Sequence, residues 1–135
     1  MAEEAASPSR PPHSVEVSAQ GGVLRARFLA RNVGEREATA IAAPVIKSME
    51  KTRGRLRCLV LDLSDVQFLN SRGLGMCIDL RNRAHALSAP TVLIGLTGEL
   101  FQLLDAVKVE RLFEIVADEG ELAARLRGST RPAAE

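Results

Sequence analysis

The sequence is poor in aromatic residues and has almost no net charge. It contains four Phe, no Trp and no Tyr among 135 residues, and 18 basic against 17 acidic side chains give a net charge of +1. Proteins that bind single-stranded nucleic acid use aromatic side chains as stacking platforms, and a strong positive field is what attracts a phosphate backbone. The composition therefore argues against nucleic acid as a partner.

Long apolar runs and clusters of cysteine are also lacking. No run approaches the roughly 18 apolar residues of a membrane span, so we expect no direct membrane insertion. The two cysteines, Cys58 and Cys77, lie in apolar surroundings and are predicted to be core residues in a reducing compartment. The acidic start, Met1 to Glu4, is unlike a secretory signal. We expect a cytoplasmic protein.

Neither a metal site nor a catalytic pair is visible. His13 and His85 have no other ligand-type residues at metal-binding spacing. Asp62 and Asp65 have no nucleophile and base spaced to support them, so we interpret them as solvated or turn-capping carboxylates. We therefore expect no catalysis, no cofactor and no metal.

Three arginines, Arg25, Arg27 and Arg31, lie in or just after the second predicted strand. Positive side chains often guard the exposed edge of a sheet against pairing with another chain. We interpret these arginines as such a guard, and contact with an acidic partner is the alternative.

The hydrophobic pattern predicts one α/β domain, in which a mixed, mostly parallel sheet of about five strands packs against about four helices. Apart from an opening hairpin, strands and helices alternate along the chain. The predicted strands are Val15–Ser18, Val23–Leu29, Cys58–Leu63, Thr91–Leu96 and Phe113–Val116, and the predicted helices are Glu35–Thr52, Arg72–Leu87, Thr97–Val107 and Glu119–Leu126.

Pro44 and the composition of the two chain ends lead to two further predictions. Pro44 lies inside the first helical pattern and removes a backbone hydrogen bond, so we expect a kink there or a helix start later than Glu35. Residues 1–14 and 128–135 are rich in Ala, Ser, Pro and Arg, which predicts flexible tails on either side of a domain at 15–127.

The turn from Asn70 to Gly75 is the leading candidate site. It follows the apolar third strand and opens a helix, where backbone N–H groups and a hydroxyl are exposed together. Asn70 and Ser71 are both good N-cap residues, and capping alone would explain either of them. Gly73 and Gly75 lack the third glycine of a dinucleotide fingerprint, so close packing or access for a partner explains them better.

The residues Leu61 to Met76 read Leu-Asp-Leu-Ser-Asp-Val-Gln-Phe-Leu-Asn-Ser-Arg-Gly-Leu-Gly-Met. With the order of elements, this segment resembles the STAS domain, and within that family the bacterial anti-sigma factor antagonists. The similarity spans about Val15 to Leu126. The resemblance implies a STAS-like single domain that binds an anti-sigma factor or a related kinase-like regulator, as a monomer or weak dimer.

The resemblance also implies a regulatory site. In these antagonists the first Ser of an Asp-Ser-Ser/Thr-Gly-Leu-Gly turn is phosphorylated by the partner, which then lets go, and Ser71 occupies that position. The implied phosphorylation site is Ser71. The implied partner-binding residues are those of the turn and one residue on the helix after it: Asn70, Ser71, Arg72, Gly73, Leu74, Gly75 and Asp79.

The chain departs from the family pattern at several positions. Asn70 replaces the Asp before the serine, Arg72 replaces the second hydroxyl residue, and Gly34 takes the position of a second family acid. Lys108 stands where the family has a Gly after the third helix. Asn70 and Gly34 favour the first alternative, a STAS scaffold or accessory subunit of a transporter or signalling complex that is never phosphorylated.

A second alternative comes from a different functional class. The backbone from Gly73 to Gly75 would then cradle a phosphate in a small nucleotide-binding α/β domain.

Overall fold

Seven strands and four helices lie in the part of the chain that the computed structural model describes, residues 14–129. The strands are β1 (Val15–Gln20), β2 (Val23–Phe28), β3 (Asn32–Val33), β4 (Cys58–Asp62), β5 (Phe68–Leu69), β6 (Thr91–Ile94) and β7 (Glu114–Val116). The helices are α1 (Glu35–Lys51), α2 (Ser71–Ala86), α3 (Gly98–Ala106) and α4 (Glu119–Ser129), and a 3-10 turn spans Glu110–Leu112.

The main sheet has five strands in the order β1-β2-β4-β6-β7. Strand β1 is antiparallel to β2, and the other neighbours are parallel. All residues of β4 and β6 are buried, as expected for parallel strands covered on both faces. The predicted mixed, mostly parallel sheet with four helices is confirmed.

A second, two-stranded sheet was not predicted from the sequence. Strands β3 and β5 pair in parallel, with Asn32 opposite Phe68 and Val33 opposite Leu69. Two residues are too few to show an alternating pattern. Because α1 begins directly after β3 and α2 directly after β5, this pairing brings the starts of two helices together.

The core has a layer on each face of the main sheet. The larger cluster joins one face of the sheet to α1, α2 and α3, and it contains Cys77. The smaller cluster contains Cys58, Val60, Val92 and Ile94, covered by Leu122 of α4. Both cysteines are free and buried, which confirms their prediction as core residues.

The helix boundaries differ from the predictions by a few residues. Helix α1 begins at Glu35, not later, and Pro44 lies inside it with an exposed side chain. Helix α4 continues three residues past the predicted end at Leu126. Apart from Ser14 and the last residues of α4, the predicted tails lie outside the described residues.

Lys108 follows the C-terminal end of α3 in a left-handed backbone conformation, with φ of 65°. This is the position at which the sequence lacks the glycine of the family pattern. A residue with a Cβ atom pays a steric cost in this region. The loop therefore keeps the turn even though lysine replaces the residue that suits it best.

The interpretation of Arg25 and Arg27 as guards of a sheet edge is wrong. Strand β2 lies between β1 and β4, so it has no free edge. Arg25 instead contacts Asp62 Oδ2 at 2.7 Å and Glu119 Oε2 at 2.6 Å, and Arg27 pairs with Asp65 at 3.2 Å. These ion pairs link neighbouring strands and tie α4 to the sheet.

Asp62 caps a turn but is not solvated. It is 5% exposed, and its Oδ1 accepts hydrogen bonds from the backbone N–H of Ser64 at 3.0 Å and from the Ser64 hydroxyl at 2.5 Å. Its role as a turn-capping carboxylate was one of the two predicted alternatives, and the contact with Arg25 was not predicted.

Candidate functional site at the start of helix α2

Asn70 is the N-cap of α2, and Ser71 is the first helical residue. The Asn70 Oδ1 atom accepts a hydrogen bond from the backbone N–H of Gly73 at 3.0 Å, which satisfies one of the free donors at the helix start. Ser71 is exposed, and its hydroxyl has no partner among residues 14–129. Capping therefore accounts for Asn70, and the Ser71 hydroxyl is exposed and unbonded in the described part of the chain.

Gly73 sets the close approach of α2 to β3. A Cβ atom on this residue would lie 2.4 Å from the carbonyl oxygen of Val33 and 3.2 Å from Cδ2 of Leu69. Its N–H already donates to Asn70, so this residue has no free donor for a phosphate. By contrast, Gly75 is exposed with nothing within 4 Å of an added Cβ. Close packing explains Gly73, which weakens the nucleotide-cradle alternative.

Gly34 lies against the candidate site. It is the N-cap of α1, and a Cβ atom on it would lie 3.2 Å from Nδ2 of Asn70. The Glu37 Oε1 atom accepts a hydrogen bond from the Gly34 N–H at 3.1 Å. A hydrogen bond from the backbone of Glu37 itself, together with this bond from Gly34, lowers the pKa of the Glu37 carboxyl below its usual value. The N-termini of α1 and α2 therefore lie side by side.

A groove of about 380 Å³ runs between α1 and α2. Of the predicted site residues, Ser71, Arg72, Gly75 and Asp79 line it. Asp79 is paired with Arg83 at 2.9 Å. The other predicted residues do not line the groove: Asn70 caps the helix beside it, Gly73 is buried and Leu74 is half-buried against the core.

Sequence reasoning missed the contribution of other elements to this surface. Glu35 and Thr39 of α1 line the groove opposite Ser71, which depends on the pairing of β3 with β5. Phe68 is 54% exposed, and nothing in the sequence predicted which way its side chain faces.

Residues 14–129 contain no group of three or more His, Cys, Asp or Glu side chains placed to hold a metal ion. No helix in the same range combines the length and the apolar character needed to cross a membrane.

The family model of the STAS domain matches residues 19–122. This chain belongs to the STAS domain family. No curated protein sequence matches it.

Solved STAS-like structures are similar to this domain along most of its length. An anti-sigma factor antagonist from Mycobacterium paratuberculosis is 16% identical with a TM-score of 0.71, covering 84% of this chain and 92% of that one. The Bacillus cell fate determinant SpoIIAA, in its phosphorylated form, is 13% identical with a TM-score of 0.64, covering 84% and 99%. At these identities the likeness shows the STAS fold alone.

A membrane transporter also contains this fold. The mouse anion transporter Slc26a9 is 12% identical to this STAS domain with a TM-score of 0.70. The match covers 82% of this chain but only 18% of the transporter. The STAS fold thus occurs both as nearly the whole of a small regulator and as a small part of a transporter.

Proposed function

We propose that this STAS domain is a protein-binding module of the anti-sigma factor antagonist type, acting in the cytoplasm as a partner switch rather than as an enzyme. The face formed by the Asn70–Gly75 turn and α2 docks a kinase-like anti-sigma factor. Phosphorylation of Ser71 releases that partner. The observation that carries this proposal is the exposed, unbonded hydroxyl of Ser71 at the first position of α2.

The physical effect of a phosphate at this position supports the switch. Phosphorylation adds about 1.5 to 2 negative charges, and the N–H groups at the start of α2 stabilise such a charge in the free domain. Arg72, the next residue, is exposed and supplies a cation. In a complex, the same charge is desolvated or faces like charges, which weakens binding. Phosphate on Ser71 thus stabilises the free domain and also weakens its complex with the partner.

Mapping of phosphate on the full chain tests the proposed site. The chain is purified from its cell of origin, and its intact mass is measured with and without phosphatase treatment. We expect one phosphate, located on Ser71 by peptide mapping and abolished by Ser71→Ala. Ser18→Ala, which changes another exposed serine, serves as the control and should keep the phosphate. A phosphate found stoichiometrically on a different residue would remove Ser71 from this role.

A second candidate function is a STAS scaffold or transporter accessory subunit that is never phosphorylated. The adjacent Asn70 and Gly34 favour it, because neither supplies a carboxylate to orient the Ser71 hydroxyl or to help hold a kinase metal ion. Copurification with a membrane transporter, in the absence of any kinase-like regulator and of phosphate on Ser71, would select this function over the switch.

A further inference from the structure

Phe68 is the most exposed large apolar side chain of the described residues, at 54%. Its backbone is held in β5, where its N–H donates to the carbonyl oxygen of Arg31 at 3.1 Å, and its neighbour Leu69 is buried. The exposed ring is therefore presented by an ordered backbone, three residues before Ser71. Aromatic side chains of this kind are frequent anchors in protein interfaces.

Three arginine side chains without partners among the described residues lie at the same end of the molecule. Arg31, Arg36 and Arg72 are exposed, and within residues 14–129 none of their guanidinium groups has a hydrogen-bond or ion-pair partner. Arg31 is bonded through its backbone to Phe68, and Arg72 follows Ser71 directly. Arg36 lies in the first turn of α1, beside the start of α2.

The carboxylates at this end are mostly occupied. Asp65 pairs with Arg27 and Asp79 pairs with Arg83, while Glu37 accepts the N–H of Gly34. Glu35 is the one carboxylate at the groove that lacks a partner among the described residues. The hydrogen bond from Gly34 leaves Glu37 charged, so residues 31–37 and Arg72 carry three positive charges without an ion-pair partner against two negative ones, an excess of one positive charge.

We infer that Phe68, together with Arg31 and Arg72, anchors a protein partner that presents an apolar socket rimmed by carboxylates. This inference rests on the proposed function, because the strand that carries Phe68 leads directly into the turn of Ser71, and it adds the chemistry of the partner. Charge complementarity selects an acidic protein surface, and the ring requires an apolar pocket. A phosphate on Ser71 would offset the positive charge of the neighbouring Arg72 and repel the partner's carboxylates.

Photo-crosslinking in the cell of origin identifies what covers Phe68. Benzoylphenylalanine is introduced into the full chain at position 68 or, as a control, at position 107. Val107 is 45% exposed and is the C-cap residue after α3, which returns from the carboxyl edge to the amino edge of the parallel strands. We expect one protein to be captured from position 68 and not from position 107. Capture from position 107 only, no capture at position 68, or capture of lipid or nucleic acid would overturn the inference.

Binding measurements with the captured protein then test the anchor chemistry. We expect Phe68→Ala and Arg72→Glu each to raise the Kd at least about tenfold, and the Kd to rise with salt. Val107→Ala and Lys47→Glu, the latter about three turns of α1 away from Arg36, should leave the Kd within about twofold. An unchanged Kd for Phe68→Ala, tighter binding of Arg72→Glu, or insensitivity to salt would contradict the inference.

The outcomes separate this inference from the proposed switch. If Phe68→Ala weakens binding while phosphate on Ser71 has no effect, the docking surface is correct and the switch is wrong. If phosphate releases the partner while Phe68→Ala and Arg72→Glu bind normally, the switch is correct and the anchor is wrong.

Discussion

Gly73 illustrates how a single residue fixes the position of the candidate site. Its hydrogen atom faces the carbonyl oxygen of Val33, with no room for a side chain. This contact holds the first turn of α2 against β3 and, with it, the exposed position of Ser71. Two residues further along, Gly75 faces open space, so the two glycines of the same turn have different physical roles.

We expect Gly73→Ala to lower the free energy of unfolding by about 2 to 3 kcal/mol, because the added Cβ forces β3 and α2 apart. Gly75→Ala is the matched control. It should raise the free energy of unfolding by about 0.5 to 1 kcal/mol, since alanine favours the helix and meets no neighbour. Chemical denaturation measures both values. Equal effects of the two substitutions would contradict this account of the packing.

Asp62 contributes to stability through its charge. Burial opposes its ionisation, but hydrogen bonds from the Ser64 hydroxyl, the Arg25 guanidinium and the Ser64 N–H outweigh it and hold the pKa of Asp62 below its usual value. A carboxyl with a lowered pKa stabilises the fold at neutral pH. That stability is lost as the pH falls below about 4 and through the folded-state pKa.

We therefore expect Asp62→Asn to lower the free energy of unfolding by about 1 to 3 kcal/mol at pH 7, since it leaves Arg25 without its buried partner. The difference from wild type should shrink as the pH falls from 5 towards 3. Asp65→Asn, which removes an exposed ion pair, should cost less than about 1 kcal/mol. Denaturation curves at pH 7, 5 and 3 test this, and a difference independent of pH would contradict it.

At the scale of elements, α4 has one buried residue among the side chains that the structure describes. It covers one face of the sheet with Leu122, while Leu126 packs at the margin of the same cluster. Ion pairs from Arg25 to Glu119 and from Arg125 to Glu114 add to the attachment. Cys58 lies in the cluster beneath α4, whereas Cys77 lies in the opposite layer of the core. The two thiols therefore report on separate parts of the fold.

We expect Leu122→Ala to speed labelling of Cys58 by a thiol reagent about tenfold or more, because the lost burial favours local opening of α4. Burial raises the pKa of the Cys58 thiol to about 11 and that of Cys77 to about 12, so both react only after opening. Labelling of Cys77 should stay unchanged, as should both rates in the exposed control Ala123→Ser. Equal acceleration of both cysteines would indicate global rather than local opening.

The elements also show what the sequence allows one to predict. The continuous apolar run of β4 and the spacing of apolar residues in α1 identify those elements because burial imposes a pattern on neighbouring residues. Strands β3 and β5 are too short for such a pattern. The contact of Arg25 with Asp62 joins residues 37 positions apart and depends on the register of β2 against β4, which the sequence alone does not specify.

The candidate site was likewise predictable where it depends on local residues and not where it depends on contacts between distant ones. The turn from Asn70 to Gly75 was predicted from its local residues, and its exposed serine is found where a helix begins. The opposite wall of the groove, with Glu35 and Thr39, arises from the pairing of two distant short strands. Exposure of Phe68 likewise depends on which face of β5 meets the core, and two residues do not reveal that face.

At the scale of the whole molecule, the chain is a STAS domain with the helices α1, α2 and α3 on one face of the sheet and α4 on the other. The proposed docking face lies at the carboxyl edge of the parallel strands, where loops lead into helices. A partner bound at this edge does not need to enter the core. A change of charge at this edge alters a partner's affinity without requiring the fold to change. The proposed switch therefore acts through charge, and its expected effect is a change in the Kd for the partner.

The most direct test uses the full chain carrying phosphoserine at position 71, introduced during translation, and the protein captured by crosslinking. Its Kd is compared with that of the unmodified chain at the same ionic strength. The account predicts that phosphoserine raises the Kd at least about tenfold, which corresponds to about 1.4 kcal/mol of binding free energy. Equal Kd values for the two forms would contradict the proposed switch.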